Sequence, residues 1–455
     1  MPRYTAVSQS ARDSSNVAVS AERLVNCYAE AGPGDGRSRL VLRTVPGESA
    51  FSSISSANVR AASPVGDYIF IAANGYLYRV NETGTAENLG GIIDSEDTTI
   101  SAHGQDATVT AGGTYYVWDD SASTLTEPTG AAFDDAGSVT YLNSVTLFSE
   151  SGGRRFQWSD VLDPLTLDAL NFATADGRND NILRVMADKT KVWIYGETSI
   201  EVWYRVPGAS GSSSFARLPD GIIDQGLKSY KLLSRHDAGM FFVGNDDVVY
   251  ETSSGLKPIS TAPVNTALKD GTPTHCSYYE HRGHKFCVVR FSDRPAWCYD
   301  LTTGLWHERA SGVNFDAWTC VEIVSHFDKW YSISRGGGIY EMAEVSADVA
   351  GHLKRGWTSR TIYLDGKKFS VSEVEFLCQM GATDLGRDAM VSMRYSRDGG
   401  KTFSPEIMEP IGDLGEYENR VIYRSLGNFV SFTAEFTITD PEDIPMYSDV
   451  NVEIT

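Results

Sequence analysis

Cys276, His281, His284 and Cys287 lie close together in this chain of 455 residues, and thiolate and imidazole are the ligands zinc takes. A strand-turn-strand could converge them, although a metal needs four side chains at about 2.0–2.3 Å. A polar hairpin with two buried thiols is the competing reading. Asp176-Gly177-Arg178-Asn179-Asp180-Asn181 offers clustered oxygens of the kind that bind calcium. It lacks the glutamate that completes an EF-hand loop, Lys189 lying nearby instead, and Asp, Asn and Gly equally build a solvated turn before a strand starting at Ile182. The other histidines (His103, His236, His275, His307, His326, His352) follow no familiar ligand register, and the chain has no G-x-S-x-G, H-E-x-x-H, Walker loop or G-x-G-x-x-G. No catalytic residue, cofactor or metal is expected.

One motif is better defined. Ser396-Arg397-Asp398-Gly399-Gly400-Lys401-Thr402-Phe403 fits S-x-D-x-G-x-T-F and resembles the Asp-box hairpin of sialidase-like propellers and other β-proteins. Asp398 is expected to accept from the turn amides, Gly399 and Gly400 to allow positive φ, Ser396 and Thr402 to complete the turn, and Phe403 to anchor it in a core. That is a structural role. Glycosidase chemistry needs two positioned carboxylates, or in sialidases an arginine cluster with a tyrosine nucleophile, and sixty carboxylates make candidate pairs uninformative. A carbohydrate-binding or sialidase-like propeller is therefore the alternative reading of function.

The elements that would carry these residues are β-strands. Phe432, Ala434, Phe436 and Ile438 alternate with Thr433, Glu435, Thr437 and Thr439, and Val391, Met393 and Tyr395 repeat the pattern, so one side should face a core and the other water. Helical candidates are few, such as Ala21 to Glu30 and a stretch around Ser346 to Leu353, and both read as minor elements. Between about residues 59 and 345 a unit of short strands, Gly/Asp/Asn turns and an aromatic-rich strand recurs. Examples are Tyr68–Tyr78, Ala107–Trp118, Val139–Trp158, Lys191–Tyr204, Gly239–Tyr250, Lys285–Tyr299 and Trp330–Tyr340. About seven units at roughly 40-residue spacing match propeller blades, six being the other count considered. A pair of β-sandwiches is the alternative architecture. The expected class is all-β: an N-terminal extended arm over 1–58, a β-propeller over 59–345 and a C-terminal β-sandwich over 346–455.

Composition narrows the function classes. Apolar residues make up 41% and charged ones 22%, which describes a globular chain, and 39 basic against 60 acidic residues give a net charge of −21, so a basic phosphate-binding footprint is not expected. No apolar run spans a bilayer, and Met1-Pro2-Arg3-Tyr4-Thr5 does not read as a secretory signal, so neither membrane insertion nor export is expected. Six cysteines without a C-x-x-C pair read as reduced thiols made in a cytoplasm.

Three sets of residues then carry a resemblance. Leu24-Val25-Asn26-Cys27-Tyr28-Ala29-Glu30 with Thr44, Pro46 and Gly47 form the first. Phe172-Ala173-Thr174-Ala175, Asp180, Gly196-Glu197-Thr198-Ser199-Ile200-Glu201-Val202-Trp203-Tyr204 and Gly221 to Gly226 form the second. Ser396 to Phe403, Gly415 to Val421, Leu426-Gly427 and Asp440-Pro441 form the third. In this order they resemble the tail nozzle, or packaged-DNA stabilisation, family of short-tailed bacteriophages; Cys27 departs from it, a larger apolar residue being commoner there. The resemblance implies a structural virion protein, not an enzyme, located in the tail and assembled in the host cytoplasm. It implies a homo-hexamer below the portal and head-to-tail adaptor, contacting tailspikes or tail fibres and a tail needle or plug, with double-stranded DNA passing through the lumen without sequence-specific binding. An acidic lining would repel phosphates, although acidic surfaces also simply keep a protein soluble. Ring contacts need exposed apolar patches, for which Tyr28, Tyr417 and Tyr423 are candidates.

Overall fold

The computed structural model describes residues 3–5, 10–11, 22–31, 40–55, 57–349, 351–381, 389–440 and 446–454. The loop Gly32 to Gly36 and most of the serine-rich start lie outside them.

Seven four-stranded antiparallel meanders follow one another. Blade 1 runs Val59–Val65, Tyr68–Ala73, Tyr76–Val80 and Ala86–Gly91, and its central turn, Asn74-Gly75, has φ of 53° and 75°, as a two-residue hairpin twisted to match its strands requires. Blades 2 to 6 span 99–126, 136–174, 182–223, 233–258 and 273–311. Blade 7 takes three strands from 320–343 and its fourth, Gly47–Ser53, from the N-terminal arm, paired antiparallel to Gly338–Ala343. The chain is thus a seven-bladed propeller closed by its own beginning, which leaves no free edge at the seam.

Each blade packs on two neighbours, so seven separate apolar cores fill the seven gaps. Phe70 points with Val109 into the gap between blades 1 and 2, while Ile69 and Ile71 point with Ile333 into the gap between blades 7 and 1. Both sides of a middle strand are therefore buried, which is why Tyr68–Ala73 and Met240–Val243 read as continuous apolar runs. All six cysteines are free and buried, and burial pushes their thiols upward, Cys27 and Cys298 to about 12, so they stay protonated.

The sandwich has its own core, where Trp357, Phe376 and Phe436 meet the arm's Leu24, Cys27, Ala29 and Leu42. One layer is ordered Cys27–Ala31, Leu40–Thr44, Met446–Ile454, Phe369–Cys378, Val421–Phe429, with Arg3–Thr5 also on Met446–Ile454. The other continues from blade 6: Leu305–Ser311 pairs in parallel with Arg23–Val25, which pairs antiparallel with Arg355–Thr358, then Ser431–Ile438, Met390–Ser396 and Ile407–Pro410. One sheet thus runs unbroken from propeller to sandwich through the arm.

Several expectations change. Ala21 to Glu30 is not helical: within its described part, Arg23–Val25 and Cys27–Ala31 are strands, because pairing with other segments outweighs a local pattern that fits either period. Ser346 to Leu353 holds two short paired strands, Ala347–Asp348 and Gly351–His352. The α-helix that does form among the described residues, Ala262–Asp270, carries Pro263 in its first turn, is followed by Gly271 and buries Val264, Ala267 and Leu268. Thr433 and Thr437 are buried instead of facing water, Thr433 bonding Thr361, and Glu435 pairs with Arg394.

Candidate functional site

The groups that suggested metal chemistry are engaged by other parts of the protein. His284 Nδ1 lies 2.7 Å from Asp300 Oδ2 and its ring packs on Tyr28, whereas Cys276 and Cys287 lie in the core between blades 5 and 6. Alternation along the hairpin sends the two pairs to different faces. In the loop 176–181, Asp180 accepts from the amides of Glu197, Thr198 and Ser199, Asp176 meets Arg217, Asn179 takes Arg154 and Asp224 takes Arg178. Its oxygens serve protein donors, and no metal-holding group of His, Cys, Asp or Glu occurs among the described residues.

Asp398 accepts from the Lys401 amide at 2.9 Å, the Thr402 amide at 3.0 Å and the Thr402 hydroxyl at 2.7 Å, while the Ser396 hydroxyl, 2.6 Å from Asp398, accepts from the Gly400 amide. Those donors hold its carboxyl well below the usual carboxylate range, and Gly399 and Gly400 have φ of 77° and 100°. Phe403 is only half-buried, with the Arg394 guanidinium 5.2 Å over its ring, so it is not a core anchor. Asp398→Ala is expected to raise amide exchange at Lys401 and Thr402 in hydrogen-exchange measurements while leaving the global melting temperature near wild type. A large drop in melting temperature would contradict this local role.

The resemblance motifs come together more fully. Glu201 is buried and accepts from Trp203 Nε1 at 2.9 Å and the Gly177 amide at 2.7 Å, with Arg217 at 3.3 Å, so the run from Gly196 to Tyr204 latches the turn 176–181 onto blade 4.

The densest site is the junction of arm, blade 6 and sandwich. Asn26, 1% exposed with φ 57°, sits between two arm strands that belong to different sheets. Its Oδ1 accepts from the Ala310 amide at 2.8 Å, its Nδ2 donates to the Lys354 carbonyl at 2.7 Å, and its own amide donates to the Glu308 carbonyl at 2.8 Å. Beside it Arg23 clamps the buried Glu308 at 2.9 and 2.5 Å. Arg309 stacks over Trp318 at 4.8 Å and donates to the Pro46 carbonyl at 2.6 Å. On the closing strand, buried Glu48 accepts from Trp318 Nε1 at 3.1 Å and the Ser332 hydroxyl at 2.6 Å. Burial pushes the Glu48 carboxyl up, against the pull of Arg309. The role of Asn26 and the Glu48 network escaped sequence reading because their partners lie more than 260 residues away.

Tyr28 and Tyr423, expected as interface aromatics, are buried, Tyr423 donating to the Val391 carbonyl; Tyr417 is 72% exposed, next to exposed Leu414. No described helix is long and apolar enough to cross a membrane.

Comparison with known proteins finds two matching family models. The family described as "Bacteriophage P22 Gp10, beta-propeller" matches residues 10–344, and that described as "Bacteriophage P22 Gp10, beta-sandwich" matches residues 355–444. A search of curated proteins finds no match. Among solved structures, the computationally designed Ika8 protein is similar at 12% identity and TM-score 0.40, over 65% of this chain and 99% of that one. A chain of the Mitotic Checkpoint Complex is similar at 11% identity and TM-score 0.43, over 69% and 96%. The propeller and sandwich matches together cover most of the chain, which belongs to the bacteriophage P22 Gp10 family, the tail nozzle and packaged-DNA stabilisation proteins of short-tailed phages.

Proposed function

We propose that six copies of this virion protein form the tail nozzle, a ring below the portal and head-to-tail adaptor that retains packaged DNA and then conducts it outward, meeting tailspikes or fibres and a tail needle or plug. The family match over both propeller and sandwich carries this reading. The unbroken sheet supports it, because a collar under genome pressure needs a subunit whose parts cannot separate. So does the charge. Net −21, with Arg60, Arg79, Arg217, Arg335 and Arg420 engaged by carboxylates, disfavours a grip on duplex phosphates, where each cationic contact would add counterion-release affinity and friction.

Electron microscopy of purified particles tests the reading. A six-fold ring with a central opening at the tail base is expected, together with genome loss from particles lacking the protein. A solitary monomer absent from particles would overturn it.

A further inference from the structure

The innermost strands of the propeller share an irregularity. In blades 1, 3, 4, 6 and 7 the first strand carries a register shift near its start, at Val59/Ala61, Ala136/Val139, Ile182/Arg184, Pro273/His275 and Cys320/Glu322. Bulges re-aim side chains and recur beside functional sites. Hydrogen bonds draw these strand starts together across the propeller: Lys231, just before the first strand of blade 5, donates to the Arg60 carbonyl, Arg184 donates to the Tyr230 carbonyl beside it, and the Cys276 amide next to His275 donates to the Lys231 carbonyl, with Glu322 close enough to act on both Lys231 and Arg184.

Arg60 pairs with Asp94 and Glu96, and Arg335 with Glu96, but Arg184 and Lys231 have no carboxylate within ion-pairing distance among the described residues. Arg184 spends one donor on the Tyr230 carbonyl at 2.9 Å, and Lys231 donates to the Arg60 carbonyl. His275 is 4% exposed, and its Nδ1 has no hydrogen-bond partner among the described residues. In a chain of net charge −21, this cluster gathers cations. These groups also sense one another. Burial pushes Lys231 down, Glu322 holding it up and Arg184, Arg335 and Arg60 opposing; burial pushes Glu322 up, against Lys231 and Arg184. Burial pushes His275 down, with Lys231, Arg290, Arg335 and Arg184 adding to it, so its ring is neutral and offers one N–H.

We propose that the cluster framed by Arg184, Lys231 and His275 binds a small oxyanion, phosphate or carboxylate, with Arg184 and Lys231 as charged donors and Glu322 limiting affinity by like-charge repulsion. A guanidinium with donors to spare and an ammonium that Glu322 influences without an ion-pair contact are what such a ligand requires.

The test is thermal unfolding and calorimetric titration of the full chain with inorganic phosphate, with sodium acetate as a second arm and sodium chloride at matched ionic strength as control. Saturable stabilisation by phosphate, acetate or both beyond chloride is expected, and the arm that saturates names the ligand class. Arg184→Gln and Lys231→Gln should each weaken binding roughly tenfold or more. Glu322→Gln should tighten it by about fivefold. Each variant is compared with its own melting temperature in chloride, and the wild-type titration decides alone if a variant does not fold. Equal effects of all three salts on the wild type, or an Arg184→Gln protein that binds as wild type does, would overturn the proposal.

Discussion

Gly47→Val should prevent the seventh blade from closing. A Cβ at Gly47 would lie 1.8 Å from the Val345 carbonyl oxygen and 2.8 Å from that of Ala347, and both obstacles are backbone, so no rotamer relieves the overlap. The closing strand would have to move away from Gly338–Ala343, breaking that ladder and withdrawing Glu48 from Trp318 and Ser332. The cost exceeds ordinary overpacking, which runs about 1–3 kcal/mol, and is expected to reach about 4 kcal/mol or more. Urea unfolding should show it, with proteolysis appearing first between the arm and blade 1. A wild-type midpoint would mean that the arm strand does not close the ring.

Asn26→Leu is the second large effect. It leaves the Ala310 amide and the Lys354 carbonyl unpaired in a buried junction, at about 1–3 kcal/mol each, and puts a bulky side chain at φ 57°, at about 1–2 kcal/mol. A total of about 3–8 kcal/mol is expected by equilibrium unfolding. Asn26→Asp keeps the acceptor for Ala310 and tolerates the backbone angle, so it should lose less. If Asp and Leu were equally damaging, the side-chain bonds would not be the cause.

These two residues also mark how much could be read from the sequence. The repeat of aromatic strands and Asn-Gly or Gly-Gly turns pointed to a propeller of about seven blades, with six left open, because turn chemistry is local: Asn74-Gly75 declares its hairpin unaided. The arm was read as extended, but its contacts were not legible. Nothing around Gly47 or Asn26 says that their partners lie near residues 345 and 310, since sheet pairing between distant segments leaves no local trace. The helix Ala262–Asp270 did announce itself, through Pro263, Gly271 and apolar residues three and four apart, and was passed over amid strands. The Asp398 hairpin was legible from eight residues, except that Phe403 packs under Arg394, two residues upstream of the motif on the strand that leads into it. The cluster of Arg60, Arg184, Lys231, His275 and Glu322 was not legible, because its members come from different blades far apart in the chain and only the closed propeller brings them together.

The closing strand leaves the ribosome early and its partner late. Ser332 follows Glu48 by 284 residues, and at bacterial synthesis rates that separation corresponds to roughly 15–60 s during which Gly47–Ser53 has no ladder to join. A nascent chain must therefore keep an unpaired strand from straying while six blades form, and contacts so distant along the chain make the final step slow. The yield of closed propellers is then governed by the fate of that waiting strand as much as by the stability of the finished fold.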